Sequence, residues 1–295
     1  MKRLTPLRRK EERTAYLTLI PLILILVLLR ATPIVVAFFK SFTNWDGGLR
    51  NDPVGLANYK LLLSNKELGT MLKNNLFLLL HIPIQLVLAF IFALYIYERK
   101  PGWKFFRSLY YLPQVTSVMV IGTVFRNFFS FRGPINMILD KLGIQAVDFL
   151  ADGDKALWVI LAALVWQSLG WQMLIISGGL SSMDTGVLEA ATLDGAGYWN
   201  KLFKVIIPMQ IRTIEYSVVV SIIWVFSGLY NFIYSITDGG PGYSTTTLDY
   251  MIYLKAFRAN GQMGIACACA MILLVVVLVL VGVQRKLSNK VSDWE

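Results

Sequence analysis

The sequence predicts an all-α integral membrane protein with six transmembrane helices. The chain of 295 residues is 56% hydrophobic and only 16% charged, with a mean hydropathy of +0.59. Soluble globular proteins carry about 25% charged residues, so this composition excludes an ordinary soluble protein and an intrinsically disordered one. Six long segments with almost no charge are the second observation, and the distribution of the basic residues is the third.

Six apolar segments are long enough to cross the hydrocarbon of a bilayer, which takes about 20 helical residues. We expect spans at residues 17–39, 76–97, 109–130, 156–180, 216–237 and 263–283. The first span contains Arg30 and the third contains Arg126, whereas the last three contain no charged residue. Six basic residues precede the first span, but its apolar stretch is too long for a signal peptide, so we expect it to be retained.

The basic residues predict the orientation of these spans. With the amino terminus inside the cell, 16 of the 28 lysines and arginines fall in inner segments and 10 in the longer outer segments. Cytoplasmic loops of membrane proteins carry the excess of basic residues. We therefore expect both termini in the cytoplasm and a single transmembrane domain over residues 1–295. The net charge of +10 then sets the orientation and does not indicate nucleic-acid binding.

Metal and disulfide chemistry find little support in the sequence. Cys267 and Cys269 are the only cysteines, and two residues apart on a helix they point to different faces, so no disulfide is expected. The single histidine, His81, lies in an apolar helix, where we expect it to be packed in the core. The chain contains no G-x-x-x-x-G-K-[ST] phosphate loop. We therefore expect neither a metal nor a cofactor in this chain.

The inner segment at residues 181–212 is the most informative part of the sequence. Residues 182–185 offer N-cap side chains for a short helix. Gly195 and Gly197 end that helix, and Pro208 ends or bends a second one. The two helices carry too many apolar side chains for a solvated loop. An exposed apolar surface of this kind indicates a partner protein.

Polar side chains inside the spans are candidates for a substrate pathway, because turning them towards lipid is costly. Amides can bond the hydroxyls of a sugar, and aromatic rings can stack on its C–H face. Trp224, Asn231 and Ser235 follow helical spacing in the fifth span. Packing between helices is the alternative for each residue. The candidates are Gln167, Trp171, Gln172, Trp224, Tyr230, Asn231 and Arg30.

Arg30 is the unusual member of this set, because it lies near the middle of the first span. An arginine at that depth needs water, a partner or a lipid headgroup. It either attracts an acidic substrate, or it snorkels or pairs with a helix carbonyl.

The stretch from Glu189 to Ala196 closely resembles the coupling-loop motif of permease subunits of bacterial ABC importers. The matching residues are Glu189, Ala190, Ala191, Asp194, Gly195, Ala196, Phe203 and Pro208. Other segments resemble carbohydrate-type permeases of the maltose-transporter subfamily, at residues 41–45, 55–59, 106–113 and 237–257. The resemblance covers nearly the whole chain. Relatives often have a second proline where this chain has Thr213.

The resemblance implies a type I ABC importer permease fold in the bacterial cytoplasmic membrane, and no catalysis by this chain. A second, homologous permease subunit would complete the pathway, most simply as a heterodimer, and an extracytoplasmic binding protein would deliver a sugar or oligosaccharide. Two ATPase subunits would bind ATP and Mg²⁺ and receive the coupling helix. Glu189 would lie near their basic residues and Gly195 at the tight turn.

Three alternatives follow from the same residues. An acidic saccharide or a sugar or glycerol phosphate is the alternative substrate. A secondary transporter would need paired carboxylates within the membrane, and only Glu215 and Asp238 lie near span ends. A non-transporting membrane scaffold would have no use for the coupling loop.

Overall fold

The computed structural model describes the backbone of residues 6–259 and 261–292, and the side chains of residues 14–259 and 261–286. Within these residues the secondary structure is helical, apart from one isolated antiparallel bridge between Thr43 and Pro53. Because the apolar segments leave no water to satisfy backbone groups, a helix is the structure that pairs them internally. The prediction of an all-α protein is confirmed.

The helices follow one another along the chain with short connections. Their bounds are α1 Pro6–Leu26, α2 Thr32–Lys40, α3 Ala57–Ser64, α4 Lys66–Leu78, α5 His81–Tyr97, α6 Trp103–Val115, α7 Val118–Phe128, α8 Pro134–Lys141, α9 Gly153–Ser181, α10 Thr185–Leu193, α11 Tyr198–Lys201, α12 Ile207–Met209, α13 Ile211–Ser227, α14 Tyr230–Ile236, α15 Leu248–Tyr253 and α16 Met263–Ser292. Three π-helical segments lie between or after them, at Val27–Ala31, Leu202–Ile206 and Leu254–Arg258.

Four helical stretches of the described chain are long and apolar enough to cross a membrane. They are Thr14–Lys40, Lys66–Tyr97, Gly153–Ser181 and Met263–Lys286. Two bent helix pairs complete a set of six if each pair counts as one span. In one pair α6 and α7 meet at 97°, and in the other the stretch Tyr198–Met209 meets α13 at 64°.

The third predicted span, at residues 109–130, is one of these bent pairs. Pro113 lies inside α6, and it has no amide hydrogen for the helical ladder. Thr116 and Ser117 then adopt ψ angles of 142° and 132°, which are extended and end the helix. The chain turns sharply here before α7 begins.

The fifth predicted span, at residues 216–237, is also interrupted. The helix α13 ends at Ser227, and α14 begins two residues after Gly228. The indole ring of Trp224 lies 2.7 Å from the position that a Cβ on Gly228 would take. Only a glycine leaves room for this ring at the helix end.

One compact unit comprises the described residues up to Ser64 together with Leu254–Ile272. The amide of Asn58 donates to the carbonyl oxygens of Ser41 and Thr43, both at 2.8 Å. These bonds join the two segments, 41–45 and 55–59, in which the sequence resembles carbohydrate-type permeases. None of the side chains in the apolar window of Thr14–Lys40 is buried, which suits a helix facing lipid or a partner.

The second unit comprises Asn65–Tyr253 and the described residues from Leu273 onwards. The helix α9 packs against both α5 and α6. Gly170 on α9 permits a close approach, because a Cβ there would lie 2.5 Å from the carbonyl oxygen of Tyr110 on α6. Buried apolar residues of α5 and α9, including Ala89, Met173 and Leu180, form the core beside the inner loop.

Candidate functional site

The short helix α10 of the inner loop begins with a side-chain cap. The carboxylate of Asp184 accepts a hydrogen bond from the amide of Gly186 at 2.8 Å. Aspartate in extended backbone just before a helix satisfies one of the amides that the first turn leaves unpaired. The helix begins at Thr185, one residue before the predicted start near Gly186. Of the candidate N-cap residues at 182–185, the structure uses Asp184.

The same helix ends in a Schellman motif that explains the spacing of the coupling-loop sequence. The amide of Ala196 donates to the carbonyl oxygen of Ala191 at 3.0 Å, and that of Gly195 donates to Thr192 at 3.1 Å. Gly195 has a φ of +78°, in the left-handed region that glycine enters without a steric penalty. The glycine therefore reverses the chain tightly, as the sequence predicted.

The inner loop exposes large apolar side chains. Leu193 is 89% exposed, Trp199 is 67% exposed and Phe203 is 61% exposed. The side chains of Glu189 and Asp194 are also exposed beside them. Several exposed large apolar side chains accompanied by a few charged ones are typical of a protein interface.

Two contacts hold the inner loop against the bundle. Leu202 is buried in the core cluster beside α9, and Leu188 packs against the same cluster from α10. The ammonium group of Lys201 donates to the hydroxyl of Thr192 at 3.1 Å, which joins α11 to α10. The face of the loop that packs against the bundle is therefore fixed, while the opposite face remains exposed.

A cavity lined by polar and aromatic side chains lies inside the second unit, between α5, α6, α9 and α13. Its volume is about 280 Å³. Nine residues line it: three glutamines, two serines, two tryptophans, one histidine and one valine. They are Gln85, Gln114, Gln167, Ser168, Ser221, Trp171, Trp224, His81 and Val220. No Asp, Glu, Lys or Arg of the described chain is among its lining residues.

A hydrogen-bond network holds the glutamine amides of this cavity. The amide nitrogen of Gln85 donates to Gln172 Oε1 at 3.2 Å and to the Ser221 hydroxyl at 3.0 Å. The hydroxyl of Ser168 donates to Gln85 Oε1, and Gln167 Nε2 donates to Gln114 Oε1 at 3.2 Å. Amides fixed in this way can present their remaining donors and acceptors to a ligand without reorganising.

The structure brings together some of the predicted pathway residues and separates others. Gln167, Trp171 and Trp224 line the cavity, and Gln172 lies behind it as the partner of Gln85. The other three predicted residues are not among the lining: Tyr230, Asn231 and Arg30.

The break after α13 explains why Tyr230 and Asn231 lie outside the cavity. It shifts the helical register, so residues of α14 do not continue the face on which Trp224 lies. The ring of Tyr230 instead lies 4.6 Å from that of Tyr253, measured between ring centres. Arg30 lies in the π-helical turn Val27–Ala31, where it is exposed.

Four polar lining residues were not predicted as pathway residues from the sequence: Gln85, Gln114, Ser168 and Ser221. Gln85 follows His81 by four residues in an uncharged helix, and Ser221 precedes Trp224 by three. Both spacings place polar groups on one helical face and could have indicated the site. His81, expected in the core, is buried at 1% exposure and also lines the cavity.

These features define an all-α membrane protein with a glutamine- and tryptophan-lined cavity inside its bundle and exposed apolar side chains on its inner loop. Residues 85–293 match the family described as binding-protein-dependent transport system inner membrane component. The chain belongs to this family, and it is a multi-pass permease component of an ABC importer in the inner membrane.

Individual relatives support the same family. A probable ABC transporter permease of Pyrococcus horikoshii is 32% identical over 82% of this chain and 84% of that protein. The multiple sugar-binding transport system permease of Streptococcus mutans is also 32% identical, over 84% and 85% of the two chains. An sn-glycerol-3-phosphate transport system permease of Agrobacterium fabrum is 29% identical over 82% and 83%.

A solved structure shares the fold. A chain of the bacterial ABC transporter involved in the import of the acidic polysaccharide alginate superimposes with a TM-score of 0.81, at 21% identity. The superposition covers 95% of this chain and 96% of that chain. The expected type I importer permease fold is confirmed.

Proposed function

We propose that this chain, with a second homologous permease subunit, forms the pathway for a sugar or oligosaccharide delivered by an extracytoplasmic binding protein. The uncharged cavity lined by glutamines and tryptophans carries this proposal. Amide groups match the hydroxyls of a sugar, and Trp171 and Trp224 offer ring faces for its C–H bonds. The relative from Streptococcus mutans is named for multiple sugar-binding transport, which supports the same substrate class.

The chain itself would catalyse no reaction and hold no cofactor. Partner ATPase subunits would bind ATP and Mg²⁺, and α10 would insert into a cleft of one of them. The exposed side chains of Leu193, Trp199 and Phe203 support this docking. The motif residues Glu189, Ala190, Asp194 and Pro208 are exposed too, while Ala191 and Ala196 are half-buried where the Schellman motif forms.

The substrate pathway is tested with Trp171→Ala in proteoliposomes that contain the complete transporter. Loss of one stacking contact of about 1 kcal/mol is expected to raise the half-saturating sugar concentration for uptake roughly fivefold. Trp166→Ala is the control, because Trp166 lies on the same helix and is not among the cavity lining. Equal uptake by the two variants would show that the cavity is not part of the substrate pathway. Uptake of a uronate or sugar phosphate in preference to neutral saccharides would overturn the substrate class.

The coupling role is tested with Glu189→Lys in the same proteoliposomes. Reversing this exposed charge is expected to lower both sugar uptake and binding-protein-stimulated ATP hydrolysis at least tenfold, since a like charge would face the basic ATPase cleft. Lys286→Glu reverses an exposed charge on the same side of the membrane outside the loop, and it is expected to leave both rates unchanged. Undiminished uptake by Glu189→Lys would contradict the docking of α10.

A further inference from the structure

A second cavity, which the proposed function does not use, lies at the inner ends of α5 and α9. Its volume is about 610 Å³. It lies beside Tyr97, where α5 ends, and beside Ser181, where α9 ends. Both helix ends belong to the side of the bundle that carries the inner loop, so the cavity lies where the inner leaflet meets the cytoplasm.

The charge of this cavity is positive. Arg99 and Arg107 line it, and no Asp or Glu is among its lining residues in the described chain. Neither arginine forms an ion pair with a carboxylate of the described residues, whose salt bridges are Lys100–Glu98 and Lys155–Asp152. Two guanidinium groups that lack a protein counter-charge attract an anion, and their planar donors match the oxygens of a phosphate.

Hydroxyl groups and interfacial aromatic rings lie in the same lining. Ser177, Ser181 and Thr185 contribute hydroxyls. The hydroxyl oxygen of Ser177 is buried without a hydrogen-bond partner in the described structure, and the hydroxyl of Ser181 donates to the carbonyl oxygen of Ser177 at 2.8 Å. Tyr97 and Trp103 contribute rings of the kind that concentrates at the level of lipid headgroups.

The lining changes from polar to apolar towards the membrane interior. On α9, Met173 and Leu174 lie seven to eight residues before Ser181, which is about 11 Å along a helix. A soluble phosphate would leave this apolar part empty, and a neutral sugar would leave both arginines without a counter-charge. A molecule with a phosphate at one end and a hydrocarbon chain at the other would satisfy both parts.

We propose that this cavity binds the headgroup of an anionic phospholipid from the inner leaflet. Its phosphate contacts Arg99 and Arg107, and its acyl chain passes along Met173 and Leu174. Basic pockets between helices on the cytoplasmic side are suited to such headgroups, and each basic residue near an anionic lipid surface contributes about fivefold in affinity. Thr185 is the first residue of α10, so the bound lipid would adjoin the start of the helix that we propose to dock on the ATPase.

Native mass spectrometry of the purified transporter, titrated with phosphatidylglycerol in detergent, tests this site. The double variant Arg99→Gln with Arg107→Gln is expected to bind phosphatidylglycerol roughly 25-fold more weakly. Phosphatidylcholine is expected to bind weakly to both proteins. Inorganic phosphate at millimolar concentration is expected to leave bound phosphatidylglycerol in place. Displacement of the lipid by inorganic phosphate would overturn the proposal in favour of a soluble anion.

A matched control separates this site from general attraction to an anionic surface. Arg285→Gln with Lys286→Gln removes the same charge from exposed positions of the same membrane side, outside the cavity, and is expected to bind phosphatidylglycerol like the wild type. Equal weakening by the two double variants would overturn the site. Should the arginine variant fail to fold, Arg107→Lys and Ser177→Ala serve instead. Arg107→Lys keeps the charge and loses the planar donors, so it is expected to weaken binding less than the double variant. Ser177→Ala removes the unpartnered hydroxyl and is expected to weaken binding a few-fold, and unchanged affinity in Ser177→Ala would also count against the cavity.

Discussion

Asp249 illustrates how a single half-buried residue can organise an outer loop. Its carboxylate accepts hydrogen bonds from the amide of Tyr230 and the hydroxyl of Thr247, both at 2.6 Å. It lies in α15, outside the candidate spans. Burial raises the pKa of this carboxyl to about 6, and the two hydrogen bonds limit the rise.

This raised pKa predicts a defined pH dependence of stability. Between about pH 4 and pH 6 the folded protein holds a proton on Asp249 that the unfolded chain releases, so the stability from this group is lost as the pH rises through 6. The shift corresponds to about 3 kcal/mol. Asp249→Asn keeps an acceptor for Tyr230 and is expected to remove this dependence, as measured by thermal unfolding in detergent. Parallel pH profiles for both proteins would contradict the assignment.

A second residue, Asn75, connects elements that are far apart in sequence. Its amide donates to the carbonyl of Val225 at 2.9 Å, and its side-chain oxygen accepts from the amide of Leu248 at 3.0 Å. Asn74 makes similar bonds to the carbonyls of Ser244 and Thr246. These two asparagines therefore join the residues just before the second predicted span to α13 and to the segment that leads into α15.

At the scale of elements, α9 connects the two cavities. Gln167 and Trp171 line the first cavity, while Leu174, Gly178 and Ser181 line the second. These positions recur every three or four residues and therefore lie on one face of the helix. The opposite faces of α9 are buried against its neighbours, with 61% of its apolar window inside the protein.

The close packing of α6 on α9 gives a prediction at the same scale. Gly170→Ala would place a Cβ 2.5 Å from the carbonyl oxygen of Tyr110 and 2.9 Å from the Cα of Tyr111, and backbone atoms cannot move aside individually. We expect it to destabilise the protein by about 2 kcal/mol, measured as a lower unfolding midpoint in detergent.

Gly178→Ala is the matched control for this change. Gly178 lies on the same helix, and a Cβ there would meet nothing within 4 Å. Alanine has the higher helix propensity, so the control is expected to gain up to about 1 kcal/mol. If both variants shifted the midpoint in the same direction, the close contact of α6 and α9 would be wrong.

For the whole molecule, the basic residues predict an orientation that can be measured. In a variant without Cys267 and Cys269, Ser64→Cys is expected to react with a membrane-impermeant maleimide in spheroplasts. Lys286→Cys is expected to react only after the membrane is permeabilised, because the positive-inside bias places it in the cytoplasm. Both positions are exposed, so burial does not account for a difference. The reverse labelling pattern would contradict the orientation.

Most of the fold followed from the length and the low charge of the apolar segments, because a bilayer permits few alternatives to a spanning helix. The bend in the third segment and the break in the fifth did not follow, although Pro113 and Gly228 mark them. A proline or glycine permits a bend, and the neighbouring helices decide whether it forms. The sequence predicted that Trp224 and Asn231 lie along one helical face, but the break after Ser227 places them in two separate helices.

The candidate site also has features that the sequence determines and features that depend on tertiary packing. Short-range chemistry specified the inner loop, since the cap at Asp184 and the turn at Gly195 each depend on residues within a few positions. Composition and charge likewise specified the membrane class, and the motif from Glu189 to Ala196 carried the family resemblance. The glutamine-lined cavity depended on contacts such as that of Gln85 with Ser221, which are 136 residues apart. Such contacts arise only when helices pack, because the spacing within one helix places a residue on a face without determining which helix lies opposite.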